Sequence, residues 1–178
     1  MLVIIMRFEQ GFNRYIALKI VITKPHWQVI TLGILAGMRS MSAPAITSKM
    51  LSHHHSKRLE RSSLNFMQSA KTANILSVMA LGEFVGDKMP SAPDRIALPA
   101  IISRSISGAI AGASIYKASR GNLYAGAILG SVTAVAATFG SFYLRKTMVK
   151  HANLIDPIIG SIEDAIVLGT GLGLAETV

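Results

Sequence analysis

The stretch Met79–Ser107, MALGEFVGDKMPSAPDRIALPAIISRSIS, decides the reading of this chain. Two apolar runs flank a hinge that holds Asp87, Lys88, Pro90, Pro93 and Arg95. Proline lacks a backbone donor and stops a helix, so the hinge separates two helices. Glu83 lies inside the first run and Arg104 inside the second. Both runs have the character of membrane-spanning helices, which puts each charge where hydrocarbon makes it costly.

The rest of the chain shares this character. Of its 178 residues 51% are hydrophobic and 15% charged, and the mean hydropathy is +0.46. Soluble domains carry about 25% charge. The length allows about five membrane helices of roughly 20 residues each. There is no cysteine, which removes disulfides and thiolate metal sites. The net charge of +9 and pI of about 10.2 come from basic residues gathered between the apolar runs. That placement suits anionic headgroups, so membrane lipid is the expected partner. Nucleic acid is not, because no surface motif interleaves aromatic and basic residues.

Residues 1–26 read as an interfacial or disordered extension, since the opening MLVIIM is too short to span and is followed by mixed charge. Trp27 stands where an interfacial aromatic anchor belongs. Residues 27–178 read as an all-α, polytopic transmembrane bundle of about five spans, near 28–51, 69–89, 98–117, 122–144 and 157–175. The first span is expected to break near Pro44, whose missing N–H leaves the carbonyl of Ser40 without a partner. Such breaks sit only where protein or a wet cavity surrounds them, and they build binding sites in many transporters; the favoured reading here is a simple proline kink with serines re-satisfying the backbone. The linker from Ser52 to Met67 reads as a polar, basic loop. Its consecutive His53, His54 and His55 lack the four-residue spacing of a helical metal pair, so no metal is expected. Arg145 to Asp156 reads as a second basic loop. Small residues recur four apart in the spans, as at Gly33 and Gly37, Gly82 and Gly86, Gly108 and Gly112, and Gly126 and Gly130. This favours close helix packing within the chain, with a homodimer through the GxxxG faces as the second arrangement.

Five charges fall inside the spans and away from their ends: Arg39, Glu83, Arg104, Glu163 and Asp164. Each costs about 2.5–3.5 kcal/mol at a membrane centre, so they are expected to face one another or water. Two functions follow. One is a small transporter or permease for an anionic or ion-coupled solute. The other is a non-catalytic membrane scaffold whose ion pairs only fix helix packing. No Ser/His/Asp arrangement, HExxH or phosphate loop appears, so neither an enzyme nor a cofactor is expected, and the solute is not specified. The GTGLG at Gly169–Gly173 follows no strand and is no dinucleotide fingerprint. Arg39-Ser-Met-Ser in the first span echoes Arg104-Ser-Ile-Ser in the third. Lys and Arg in the loops and at the span ends divide nine to seven between the two sides, and five to seven without residues 1–24, so this charge does not orient the chain.

The segments GMRSMSAPA (37–45) and GEFVGDKMPSAPDR (82–95) resemble the prokaryotic membrane-protein family catalogued as domain of unknown function 4126. Similar features there are a GLRS-T-PA-like first helix, an ELVADKLP hinge, an R-x-x-SGA-x-AGA helix and a C-terminal helix with paired acids. All four appear here in order, from about residue 30 onward. The resemblance implies a multi-pass protein of the bacterial inner membrane. It makes Arg39, Glu83, Asp87, Lys88, Arg95, Arg104, Glu163 and Asp164 motif positions without giving any of them a role.

Overall fold

A computed structural model describes residues 25–86, 96–152 and 156–176. The interfacial or disordered extension expected over residues 1–26 lies outside these up to residue 24. So does the hinge motif Asp87, Lys88, Pro90, Pro93 and Arg95. All described elements are helical: α1 (Pro25–Met38), α2 (Ser42–His53), α3 (Lys57–Glu60), a 3-10 turn (Ser63–Gln68), α4 (Ala70–Gly86), α5 (Leu98–Ala118), α6 (Leu123–Ala152) and α7 (Asp156–Glu176). Two of them, α5 and α6 as far as Met148, are long and apolar enough to cross a membrane. At 1.5 Å per residue, the 21 residues of α5 reach roughly 30 Å, the thickness of a hydrocarbon core. Helices α1 and α2 have 14 and 12 residues, each too short to cross alone.

Two sequence expectations need correction. The expected loop from Arg145 is helical as far as Ala152, because α6 runs on to that residue. Polarity rises there, but RKTMVKHA contains no glycine or proline, and a drop in hydropathy does not by itself end a helix. The linker from Ser52 to Met67 is likewise ordered. It folds as α3 and the 3-10 turn, with Leu59 and Met67 buried in a cluster that includes Leu51 and takes in Leu76, Ile110 and Ala118 at its edge. Gln68, also buried, fixes the segment by accepting the N–H of Ser56 and donating to Asn65.

The centre of the fold is a layer of α1, α5 and α6 in which small residues do the packing. Gly112 faces Gly126, and Gly108 faces Gly130, so closely that a methyl group on any of them would strike the opposite helix's backbone carbonyl. Gly33 and Gly37 bring α1 onto α6 in the same way, against Thr133 and Ala134. Ala36, Ala43, Ala111, Ala134, Ser114 and Thr138 fill the interior. Val29, Leu32, Ile115 and Tyr116 join them in the core, while other large apolar side chains point outward. Leu98, Ile102 and Ile106 line one exposed stripe of α5, and Tyr124, Ile128 and Val132 line one of α6. Only 17% of the apolar stretch of α6 is buried, so most of that helix's apolar surface faces outward. Small residues at the seams, with large apolar residues exposed on the outer faces of α5 and α6, are what close helix packing in an apolar solvent calls for.

The GxxxG pairs therefore differ in weight. A methyl group added at Gly82 on α4 would meet nothing within 4 Å, whereas Gly112 has no room for one at all. Gly112→Ala is expected to lower stability by about 2–3 kcal/mol through overpacking. Gly82→Ala should raise it by up to about 1 kcal/mol by removing backbone freedom from the unfolded chain. Thermal melts of the purified chain in a mild detergent measure both.

Candidate functional site

The break between α1 and α2 falls at Arg39–Met41, just ahead of the expected Pro44. Pro44 is the third residue of α2, inside its first turn, where a missing N–H leaves no helical bond unmade. The Ser40 carbonyl has no helical donor, and the Ser107 hydroxyl of α5 donates to it instead. The two RSxS stretches noted in the sequence thus meet in space. Their second serines have separate tasks, since Ser42 turns its hydroxyl back to the carbonyls of Arg39 (2.8 Å) and Leu35 (3.1 Å).

The N-terminus of α2 carries no cap of its own, because Met41 occupies the cap position. Glu83 of α4 supplies one from across the fold. One carboxylate oxygen accepts the Ser40 N–H (2.8 Å) and the Ser40 hydroxyl (2.9 Å), and the other accepts the Met41 N–H (2.8 Å). A helix N-terminus presents unpaired donors and the positive end of its dipole, so a carboxylate is the matching group. The carbonyl end of α1 is closed from α6, where the Thr138 hydroxyl donates to the Gly37 carbonyl (3.2 Å).

Arg39, 2% exposed, is held on three sides. Its Nε and Nη2 both donate to Asp164 Oδ1 of α7, at 3.0 and 2.5 Å. Its Nη1 lies 3.5 Å from the Glu83 carbonyl, and its guanidinium stacks 5.0 Å from the centre of the Phe84 ring. Glu163, the neighbouring acid, faces the other way along α7 and meets Arg145 of α6 at 3.9 Å. Arg104 is buried on α5, one turn before Gly108.

Of the five charges singled out in the sequence, the structure brings Arg39, Glu83 and Asp164 to the helix break. Glu163 pairs toward Arg145, a residue of α6 and not of the expected loop. Sequence reasoning missed Ser107, Thr138 and the amides of Ser40 and Met41. The RSxS echo was the one signal that pointed toward Ser107. A hydroxyl such as that of Thr138, inside an uncharged run, gives no signal of its own. Among the described residues no group of histidines and acids could hold a metal ion.

These features define a class: an all-helical bundle packed on glycines around an interrupted helix whose open ends are closed by side chains from other helices. The chain belongs to the family described as a domain of unknown function (DUF4126), whose profile matches residues 27–175. No curated protein and no solved structure matches it.

Two expected outcomes follow from the geometry. Glu83→Ala leaves two amides at the break without an acceptor and should cost about 2–4 kcal/mol, while Glu83→Gln keeps one acceptor oxygen and should cost about half as much. Asp164→Ala strands a buried guanidinium and should cost about 3 kcal/mol or more. In the double variant Arg39→Met/Asp164→Leu most of that loss should return, because no unpaired charge remains. Denaturation midpoints for the single and double variants, compared as a cycle, give both numbers.

Proposed function

We propose that this chain is a multi-pass protein of the bacterial inner membrane. On this reading α1 and α2 together form one interrupted crossing, and α4, α5, α6 and α7 form the other four. Support comes from the outward stripes of large apolar residues on α5 and α6 and from exposed Ile75, Val78, Leu81, Ile162, Ile166 and Leu168 on α4 and α7. The inner-membrane location rests on the family resemblance. Membrane lipid is the surrounding partner. Any second copy of the chain would dock on Gly82 of α4 or on Gly169 and Gly173 of α7, whose faces are open, since the glycines of α1 and α5 are already in use.

The function supported best is non-catalytic: the polar joint at Arg39–Met41 locks the packing of the bundle. One observation carries this reading, namely the seating of the Glu83 carboxylate on the amides of Ser40 and Met41. In transporters with broken helices that position receives the substrate's anionic group. Here the chain fills it with its own. The same fact favours a second reading. The joint is an anion site by construction, and Glu83 is half-buried, so a solute anion can replace the carboxylate if α4 swings away. That would make the chain a small permease for an anionic or ion-coupled solute.

Reconstitution into vesicles separates the two. Wild type, Glu83→Gln and Asp164→Asn are reconstituted into vesicles loaded with a chloride-sensitive or a pH-sensitive dye, and melting is measured in parallel. The lock predicts lower melting temperatures for both variants and no ion flux in any form. Flux in the wild type that Glu83→Gln abolishes at unchanged melting temperature would establish the permease instead.

A further inference from the structure

A cavity of about 310 Å³ opens where α5 ends, lined by Arg58, Arg61, Lys117, Arg120 and Gly121. We propose that this cavity is a binding site for the phosphate-bearing headgroup of an anionic phospholipid. The inference rests on the membrane reading above, which places the α5–α6 turn at one face of the bilayer.

Among the described residues four cations and no acid line this one small cavity. Among the described residues none of the four has a carboxylate within ion-pairing distance. Clustered like charges repel, so the arrangement calls for an anion from outside. The cluster is also built. Buried Leu59 lies between Arg58 and Arg61 and anchors α3 on the end of α5, where Ser56 donates to the Ala118 carbonyl (3.3 Å). The backbone that carries both arginines is therefore held at the end of α5. The volume lies at the lower end of the roughly 300–1,000 Å³ found for small-molecule sites, and basic pockets at helix ends are known lipid headgroup sites. On the five-span reading the same four cations are four of the seven basic residues that fall on that side of the membrane.

A second observation is independent of the charge. Helix α5 ends in a Schellman turn, in which the Gly121 N–H donates to the Tyr116 carbonyl (2.7 Å). The left-handed position of that turn normally takes glycine, yet here it holds Arg120, at φ 72°. Glycine comes one residue later, where the Tyr116 ring leaves no room for a side chain. An arginine is thus kept in a conformation disfavoured for it, at a position that lines the cavity. Strain of this kind collects at functional sites.

The test uses the full chain in a neutral detergent, as wild type, Arg58→Gln/Arg61→Gln and Arg120→Gly. Melting is followed while phosphatidylglycerol, phosphatidylcholine or inorganic phosphate is added. Phosphatidylglycerol should raise the wild-type melting temperature by several degrees, as a ligand of the native state does, and phosphatidylcholine should not. The double variant should need about tenfold more phosphatidylglycerol for the same shift. Arg120→Gly should melt higher than wild type without lipid, by relief of the left-handed strain, and should respond less to lipid. A purely structural Arg120 would not separate those two effects. An undiminished phosphatidylglycerol response in both variants, or equal protection by phosphatidylcholine, overturns the proposal. A full response to inorganic phosphate alone overturns the lipid as the source and assigns the cavity to a soluble phosphate compound. Failure of the membrane reading shows separately, as release of the chain from membranes by an alkaline carbonate wash.

Discussion

The carboxylate of Glu83 on the amides of Ser40 and Met41 is the interaction on which the arrangement depends. A helix interrupted in apolar surroundings leaves donors on one side and acceptors on the other, and neither can turn to water. The chain answers with one polar side chain from each of its other long helices. Helix α4 sends Glu83 to the amides, α5 sends Ser107 to the Ser40 carbonyl, and α6 sends Thr138 to the Gly37 carbonyl. Helix α7 sends Asp164 to the arginine inside the break. The bundle is therefore organised around a defect in its first helical pair, and the order of its helices in space is the order that reaches that defect.

Such convergence requires the helices to approach closely, and the glycines make that approach feasible. Serine and threonine hydroxyls are short. For Ser107 and Thr138 to reach carbonyls on a neighbouring backbone, α1, α5 and α6 must nearly touch. Gly33, Gly37, Gly108, Gly112, Gly126 and Gly130 lie along those seams. Polar closure of the break and small-residue packing are thus one requirement seen from two sides. The large apolar residues displaced from the seams cover the outside.

Much of this could be read from the sequence, for physical reasons. The helix limits of α5 and α6 follow from long apolar runs bounded by proline, glycine and charge, and they match the expected spans at their N-terminal ends to within a residue. The C-terminal end of α6 was not legible, because hydropathy reports the environment of a helix and not its continuity. The significance of Arg39, Glu83 and Asp164 was legible because a charge in an apolar run has to be compensated. Which charge meets which was not. Pairing depends on helix rotation, and nothing in the run around Glu83 says that its partners are backbone amides. The ordered segment at 57–68 was hidden by its own composition, since a few buried side chains such as Leu59 and Met67 hold many polar ones in place.

The ion pair between Arg39 and Asp164 joins residues 125 positions apart. During synthesis, then, the arginine of the first helical pair emerges long before its counter-charge exists. A chain that stops early, or that misplaces its last helix, lacks the carboxylate to which two nitrogens of this guanidinium donate. A residue near the beginning of the chain thus depends for its main counter-charge on the last helix to be made.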